Sequence, residues 1–339
     1  IMPSLVGSEM CIRDSRERTQ RSRRPAHGPV WAGVGIEGTF SQSTDWVWLG
    51  GCGGGRRGAE PGPKYHRMDG AAKPEMGTTA RTLVGIRPNA WEVDGKTADI
   101  SRPQLPPRLC TLPTETKRLT LDLAKSIAIV VDMQNEFIHA DGHSAQMGAD
   151  VSRAREPIAP LVRLLPALRA ADVPILWLCT GYRPDLRDVS ACLAHVYSSG
   201  TRSGLGDVLP RRTDRTLIKG SWGAALVDEL AAVASPDDAR VDKVQMSGFW
   251  GTELEALLRN AGRTTLLFAG INADQCVLTT LQDASFLGFD CVLLRDCTAT
   301  TSPDFCMRAA VYNVSELFGF VTSSDALLPA LDAAVARPA

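Results

Sequence analysis

The stretch LLFAGINADQCVLTTLQDASF, residues 266–286, decides how this chain reads. It continues an apolar run, Thr264 to Ala269, with the length and composition of a strand buried on both faces. The run stops at Gly270, passes a short polar turn, and meets Cys276 where a helical pattern begins, predicted over Cys276–Leu287. A cysteine at a helix N-terminus lies near unpaired backbone N–H groups and the positive end of the helix dipole, and both favour the reactive thiolate. A strand, a turn, a cysteine and a helix therefore predict a nucleophile aimed at an electrophilic carbonyl. A lone cysteine is more often a small core residue, so the reading rests on what stands at the other strand ends.

Outward from this stretch, strands and helices alternate from about residue 121. Ile127–Val131 (IAIVV), Val173–Cys179, Arg240–Lys243, Cys291–Leu294 and Phe320–Thr322 read as further strands. Helices are predicted over Pro157–Ala171, with Pro166 expected to disturb it, over Trp222–Ala232, after Thr252, over Pro303–Leu317 and in the last residues. Thr252 with Glu255 three positions on has the form of a capping box. Apolar strands alternating with helices predict an α/β fold: three layers, α/β/α and Rossmann-like, around a six-stranded, mainly parallel sheet. Ligands bind such sheets at the carboxyl ends of the strands. Asp132 ends the first strand, Lys243 ends the short one, and Cys276 follows the turn after Ala269. A carboxylate past an apolar strand can merely cap a turn, and a lone lysine usually faces solvent. All three at one sheet edge point to chemistry.

The whole chain limits the alternatives. Its 339 residues are 44% hydrophobic and 22% charged, enough for a substantial core. The net charge of -1 gives no field that would draw nucleic acid or a membrane surface. No apolar run approaches the roughly 20 residues of a membrane span. The nine cysteines show no CxxC or Cys/His metal spacing and read as free thiols, which sets a cytoplasmic location as the expectation. Residues 1–78 are rich in Arg, Gly, Ser and Trp, include GGCGGGRRG (50–58), and carry no sustained period; they read as a non-native or disordered extension. Residues 79–120, punctuated by prolines, read as an extended arm that packs on the domain, with a hairpin around GIRPNAWEVDG (85–95). The catalytic domain is then 121–335.

Three segments carry a resemblance: IVVDMQNEF (129–137), DKVQMSGFWGTELEALLR (242–259) and FAGINADQCVLTTLQDASFLGF (268–289). They resemble the signature segments of the isochorismatase-like cysteine hydrolases, in order across about 120–330. KGSWGAALVDEL (219–230) and NVSELFGFV (313–321) are most similar to the ureidoacrylate amidohydrolase branch. The resemblance implies a cofactor-free amidohydrolase that cleaves a C–N bond in a small ureido or carbamoyl compound, ureidoacrylate-like, biuret-like or N-carbamoyl, with water as co-substrate. It implies a homo-oligomer, with no nucleic-acid or membrane partner. By resemblance, Asp132 is general base then acid, Cys276 the nucleophile that forms a thioester acyl-enzyme, and Lys243 the cation that holds both. It also implies a non-proline cis peptide at Ile271–Asn272, which aims the N–H groups of Asn272 and Cys276 at the developing oxyanion.

Other residues have weaker readings. Gln134, Phe137, Tyr182, Arg183 and Phe249 are candidate substrate contacts; Gln134, with Asn135, is equally suited to orienting its loop, the aromatics to core packing, and Arg183 to solvent. Trp177 and Trp250 are further candidates for pocket walls. Lys219 lies outside the Lys243 pattern and reads as structural or rim. No metal is expected: where metal-dependent nicotinamidases carry Asp-x-His, this chain has CTGYRPDLRD (179–188), and His139 and His143 stand in a glycine-containing loop. Two other functions compete. A vinyl-ether hydrolase of the isochorismatase type works without the cysteine, and a redox or ligand-binding module has no need to keep Asp132 and Lys243.

Overall fold

Six strands form one parallel sheet, three of whose inner strands are buried on both faces. The computed structural model describes residues 81–102, 106–198 and 204–336. The segment 1–78, read from sequence as an extension, lies outside them. Before the sheet come β1 (Thr82–Val84), β2 (Trp91–Val93) and β3 (Ala98–Asp99), a small antiparallel sheet, and the hairpin of β4 (Leu109–Pro113) with β5 (Arg118–Asp122). The arm thus forms two antiparallel sheets around more than one turn. It is held to the body by Asn89, whose Nδ2 donates to the Arg259 carbonyl at 3.2 Å, and by the Thr322 hydroxyl, which donates to the Pro113 carbonyl at 2.8 Å.

The large sheet contains β6 (Ser126–Val131), β7 (Ile175–Thr180), β8 (Ala239–Lys243), β9 (Thr265–Gly270), β10 (Asp290–Thr298) and β11 (Phe320–Thr322). Its spatial order is β11-β10-β9-β6-β7-β8, and every pairing is parallel. Every residue of β6, β7 and β9 is buried, as a central strand covered on both faces requires. Alternate side chains of β6 feed two cores. Ala128 and Val130 join the cluster under α3 (Ile158–Ala170) and α9 (Ser324–Val335), while Ile127, Ile129 and Val131 join the cluster under α6 (Leu254–Asn260), α7 (Leu278–Phe286) and α8 (Asp304–Asn313). The short helices α1 (Asn135–Ile138), α2 (His143–Gln146), α4 (Ala191–Tyr197) and α5 (Asp228–Ala231) lie in the connections between strands, and the result is a three-layer α/β/α fold. Each fully buried Leu or Ile in these layers contributes about 1.5–3 kcal/mol relative to exposure.

From β6 the chain builds outward through β7 to β8, and from β9 in the other direction through β10 to β11. The direction reverses between β6 and β9, the switch point where parallel sheets open a crevice. Gly270 closes β9 there with φ +105°, and a Cβ on it would lie 2.0 Å from the Val131 carbonyl oxygen. Only glycine fits that approach.

Three predicted elements differ. The helix expected over Trp222–Ala232 is one turn, Asp228–Ala231. Its upstream carbonyls are already taken: Gly223 by the Glu136 N–H at 2.9 Å, Ala225 by the Asn135 N–H at 2.9 Å, and Trp222 by Asn135 Nδ2 at 3.0 Å. The helix expected from Cys276 begins instead with a π-helical turn, Ala273–Val277, before α7. Finally, α3 runs unbroken through Pro166, whose exposed position leaves the unmatched carbonyl one turn back to water.

Candidate active site

The strand order brings the three predicted residues together. Asp132 follows β6, Lys243 ends β8 and Cys276 lies in the turn after β9. Asp132 has φ +51°, a left-handed conformation that Asp tolerates better than most residues, and it turns the carboxylate in over the strand ends. Lys243 Nζ lies 2.9 Å from Asp132 Oδ2 and 3.3 Å from Cys276 Sγ. Lys243 is 1% exposed, Asp132 2% and Cys276 7%, so the ammonium is desolvated and needs these partners. It also donates to the Thr180 hydroxyl at 2.8 Å and the Gln245 carbonyl at 3.2 Å. Burial alone would depress the Lys243 ammonium, but the Asp132 charge, aided by Cys276, more than reverses this and raises it.

The thiol does not behave as its place before a helix predicts. Burial pushes Cys276 up to about 12; the Lys243 charge acts against this, and Asp132 adds to it. Lys243 and Asp132 largely neutralise each other, so the desolvation of a thiolate is left uncompensated. The π-helical turn also replaces the regular α-helical start that the dipole argument assumed. The shift favours the neutral thiol, so attack by this sulfur on a carbonyl would need a base to take the proton.

The peptide Ile271–Asn272 is cis. Asn272 is held by its own side chain: Oδ1 accepts from the Thr301 N–H at 3.1 Å, and Nδ2 donates to Gln275 Oε1 at 3.2 Å. The Thr300 hydroxyl donates to Asp274 at 2.5 Å, tying the same turn to the end of β10. Among the described residues the Asn272 backbone N–H donates no backbone hydrogen bond, and it precedes Cys276 in the turn.

The tentative contacts divide. Tyr182 is buried close enough to the triad for the charges of Lys243, Asp132 and Cys276 to act on its phenol, and Phe137 packs against its cluster. Gln134 is committed elsewhere: its Nε2 donates to the Thr180 and Ala224 carbonyls, both at 2.8 Å, and its Oε1 accepts from the Thr180 N–H at 2.8 Å. Its role is to hold the loop. Arg183 is also committed, forking Asp185 at 2.9 Å on an exposed loop, and is not brought to the thiol. Phe249 packs on Phe289 with ring centres 5.9 Å apart. Trp177 is a core residue bonded to Asp238, and Trp250 is exposed. Lys219, half-exposed, lies 3.8 Å from Asp242. His139 sits edge-on to Trp222 at 4.9 Å, whereas His143 packs against Tyr197 at 5.8 Å. Among the described residues no group of His, Cys, Asp or Glu is arranged to hold a metal ion.

Sequence reasoning missed Thr180 and Met246. Met246 Sδ lies 3.6 Å from Cys276 Sγ. The Thr180 N–H and hydroxyl both donate to Asp132 Oδ1, at 2.8 and 2.9 Å. The available signal was the last residue of an apolar strand, LCT, but it acquires meaning only from strand order.

Comparison with known proteins gives concordant results. The model of the isochorismatase domain matches residues 126–326, more than half of the chain. The ureidoacrylate amidohydrolase RutB of Rhizobium rhizogenes (strain K84 / ATCC BAA-868) is 33% identical over 226 residues, covering 67% of this chain and 91% of that protein. A crystal structure of a cysteine hydrolase from Pseudomonas syringae pv. phaseolicola 1448A matches with a TM-score of 0.54 and 24% identity, over 63% of this chain and 95% of its own, a likeness of fold. The matched residues 126–326 carry the six strands together with Asp132, Lys243 and Cys276, and the chain belongs to the isochorismatase-like hydrolase family.

Proposed function

We propose that this protein is a cysteine-dependent amidohydrolase that cleaves a C–N bond, other than a peptide bond, in a small ureido or carbamoyl compound. The observation that carries the reading is one buried ammonium in contact with both a carboxylate and a thiol, 2.9 and 3.3 Å away, at the switch point of a parallel sheet. Asp132 takes the thiol proton while Cys276 sulfur attacks the carbonyl carbon, whose π electrons move to oxygen. Lys243 remains charged and offsets the negative charge passed between sulfur and carboxylate. The N–H groups of Asn272 and Cys276 are suited to receive the oxyanion. Collapse breaks the C–N bond, Asp132 returns its proton to the leaving nitrogen, and water attacks the acyl-enzyme by the same route to free Cys276. The net reaction consumes one water.

The likeness to a ureidoacrylate amidohydrolase supports a ureido substrate, with ureidoacrylate first among candidates. The buried Tyr182 and the neighbouring Phe137 offer apolar walls for such a compound. The test is total ammonia release from ureidoacrylate, biuret, an N-carbamoyl amino acid and nicotinamide, with wild type and Cys276→Ala. Release from a ureido or carbamoyl compound that falls at least about 1,000-fold in the variant is expected. Release unchanged by the substitution, or none from any of the four with the fold intact, would remove the reading.

A further inference from the structure

The described mechanism gives Thr180 no task, yet it touches two of the three residues. Strand β7 runs between β6 and β8, so its last residue sits between Asp132 at the end of one and Lys243 at the end of the other. Thr180 is 2% exposed. An ammonium can only donate, so the Lys243 contact at 2.8 Å uses a lone pair of the Thr180 hydroxyl. The single hydroxyl proton then goes to Asp132 Oδ1, 2.9 Å away, where the Thr180 N–H also donates at 2.8 Å. Gln134 Oε1 shares that N–H, and the amide of Gln134 is fixed by two carbonyls.

The proton count at Lys243 completes the picture. Four acceptors surround the three N–H donors of Lys243: Thr180 Oγ1 at 2.8 Å, Asp132 Oδ2 at 2.9 Å, the Gln245 carbonyl at 3.2 Å and Cys276 Sγ at 3.3 Å. Asp132 Oδ2, although 2.9 Å from Nζ, is buried and receives no directed hydrogen bond among the described residues. The two carboxylate oxygens are therefore unlike: Oδ1 is saturated by hydrogen bonds from one residue, and Oδ2 has only its ion-pair contact with Lys243.

We propose that Thr180 is a positioning residue for proton transfer, which saturates Asp132 Oδ1 and draws one Lys243 proton to itself so that Oδ2 alone is left to accept the Cys276 proton. The transfer breaks S–H and forms Oδ2–H; as the C–N bond breaks, the same proton passes from Oδ2 to the leaving nitrogen. Without the hydroxyl, a released Lys243 N–H turns onto Oδ2 and blocks it. This rests on the amidohydrolase reading for its chemistry, but the thiol itself reports on Thr180 without any substrate.

The test compares Thr180→Val, Thr180→Ser and Thr180→Ala in the full chain. Two quantities are read: kcat and KM on the best amide, and the rate at which iodoacetamide alkylates Cys276, followed on its own peptide by mass spectrometry. Thr180→Val is expected to lower kcat about 10- to 100-fold with KM within about threefold, and to slow alkylation in step. Thr180→Ser should restore both to within about threefold. Val preserves shape and strand propensity, and near-ultraviolet circular dichroism verifies the fold. Should Val not fold, the Ser-to-Ala ratio isolates the hydroxyl. A kcat for Thr180→Val within about threefold of wild type, a loss confined to KM, or Ser as impaired as Ala would overturn the proposal. If no amide is consumed by wild type, the functional reading falls while alkylation still decides on Thr180.

Discussion

Burial keeps Cys276, the proposed nucleophile, in reserve. Its thiol, like those of Cys179 and Cys291, is pushed up to about 12 chiefly by desolvation. The ordinary value is 9.0, so in the unfolded chain these protons leave at lower pH than in the folded one. The folded state therefore gains stability from holding neutral thiols below about pH 9 and loses it progressively as pH rises toward 12. A urea midpoint measured from about pH 8 to 11 should fall steeply above about 9. A flat midpoint would mean that the thiols are not held as the geometry requires. At this scale Asp132, Lys243 and Cys276 were legible because each stands where an apolar run stops. Thr180 was not, since nothing in its neighbours states that β7 lies between two other strand ends. Arg183 read as a candidate substrate contact, but Asp185, two residues on, takes the guanidinium.

At the scale of elements, local pattern was reliable where burial enforced it and unreliable where polar groups competed. The strands followed from their β-branched and apolar runs. The start of α6 differs from the expected capping box. Glu253 stands at the cap position without a side-chain cap bond, Thr252, one residue earlier, accepts from the Leu254 N–H at 3.1 Å, and Glu255 pairs with Arg259 at 2.8 Å. Thr252→Ala should therefore cost about 1 kcal/mol, and Glu255→Ala, which breaks only an exposed pair, no more than about 0.5. Chemical denaturation of both variants checks this; equal losses would restore the full capping box. The π-helical turn at Cys276 was not legible, because its supports, Thr300 on Asp274 and Thr301 on Asn272, come from the end of β10. The helix missing upstream of Asp228 has the same kind of cause: residues 134–136 take its carbonyls, along with the Asn135 side chain.

On the scale of the whole molecule, sheet order turns separate strand ends into one site. The reversal between β6 and β9 places Asp132 beside the turn that carries Cys276, and β8 supplies Lys243 from beyond β7. Alternation of strands and helices made the three-layer fold legible, but not the order of strands, which depends on which faces the helices cover. Among the described residues no helix is long and apolar enough to cross a membrane. The proposed function stands on covalent acylation of Cys276 during C–N cleavage. It is tested by rapid acid quench of wild type turning over ureidoacrylate, followed by peptide mass spectrometry. The expected result is the substrate's carbonyl fragment on the Cys276 peptide, increased when kcat is limited by deacylation and absent from Cys276→Ala. Turnover that leaves the Cys276 peptide unmodified, and that persists in Cys276→Ala, would contradict it.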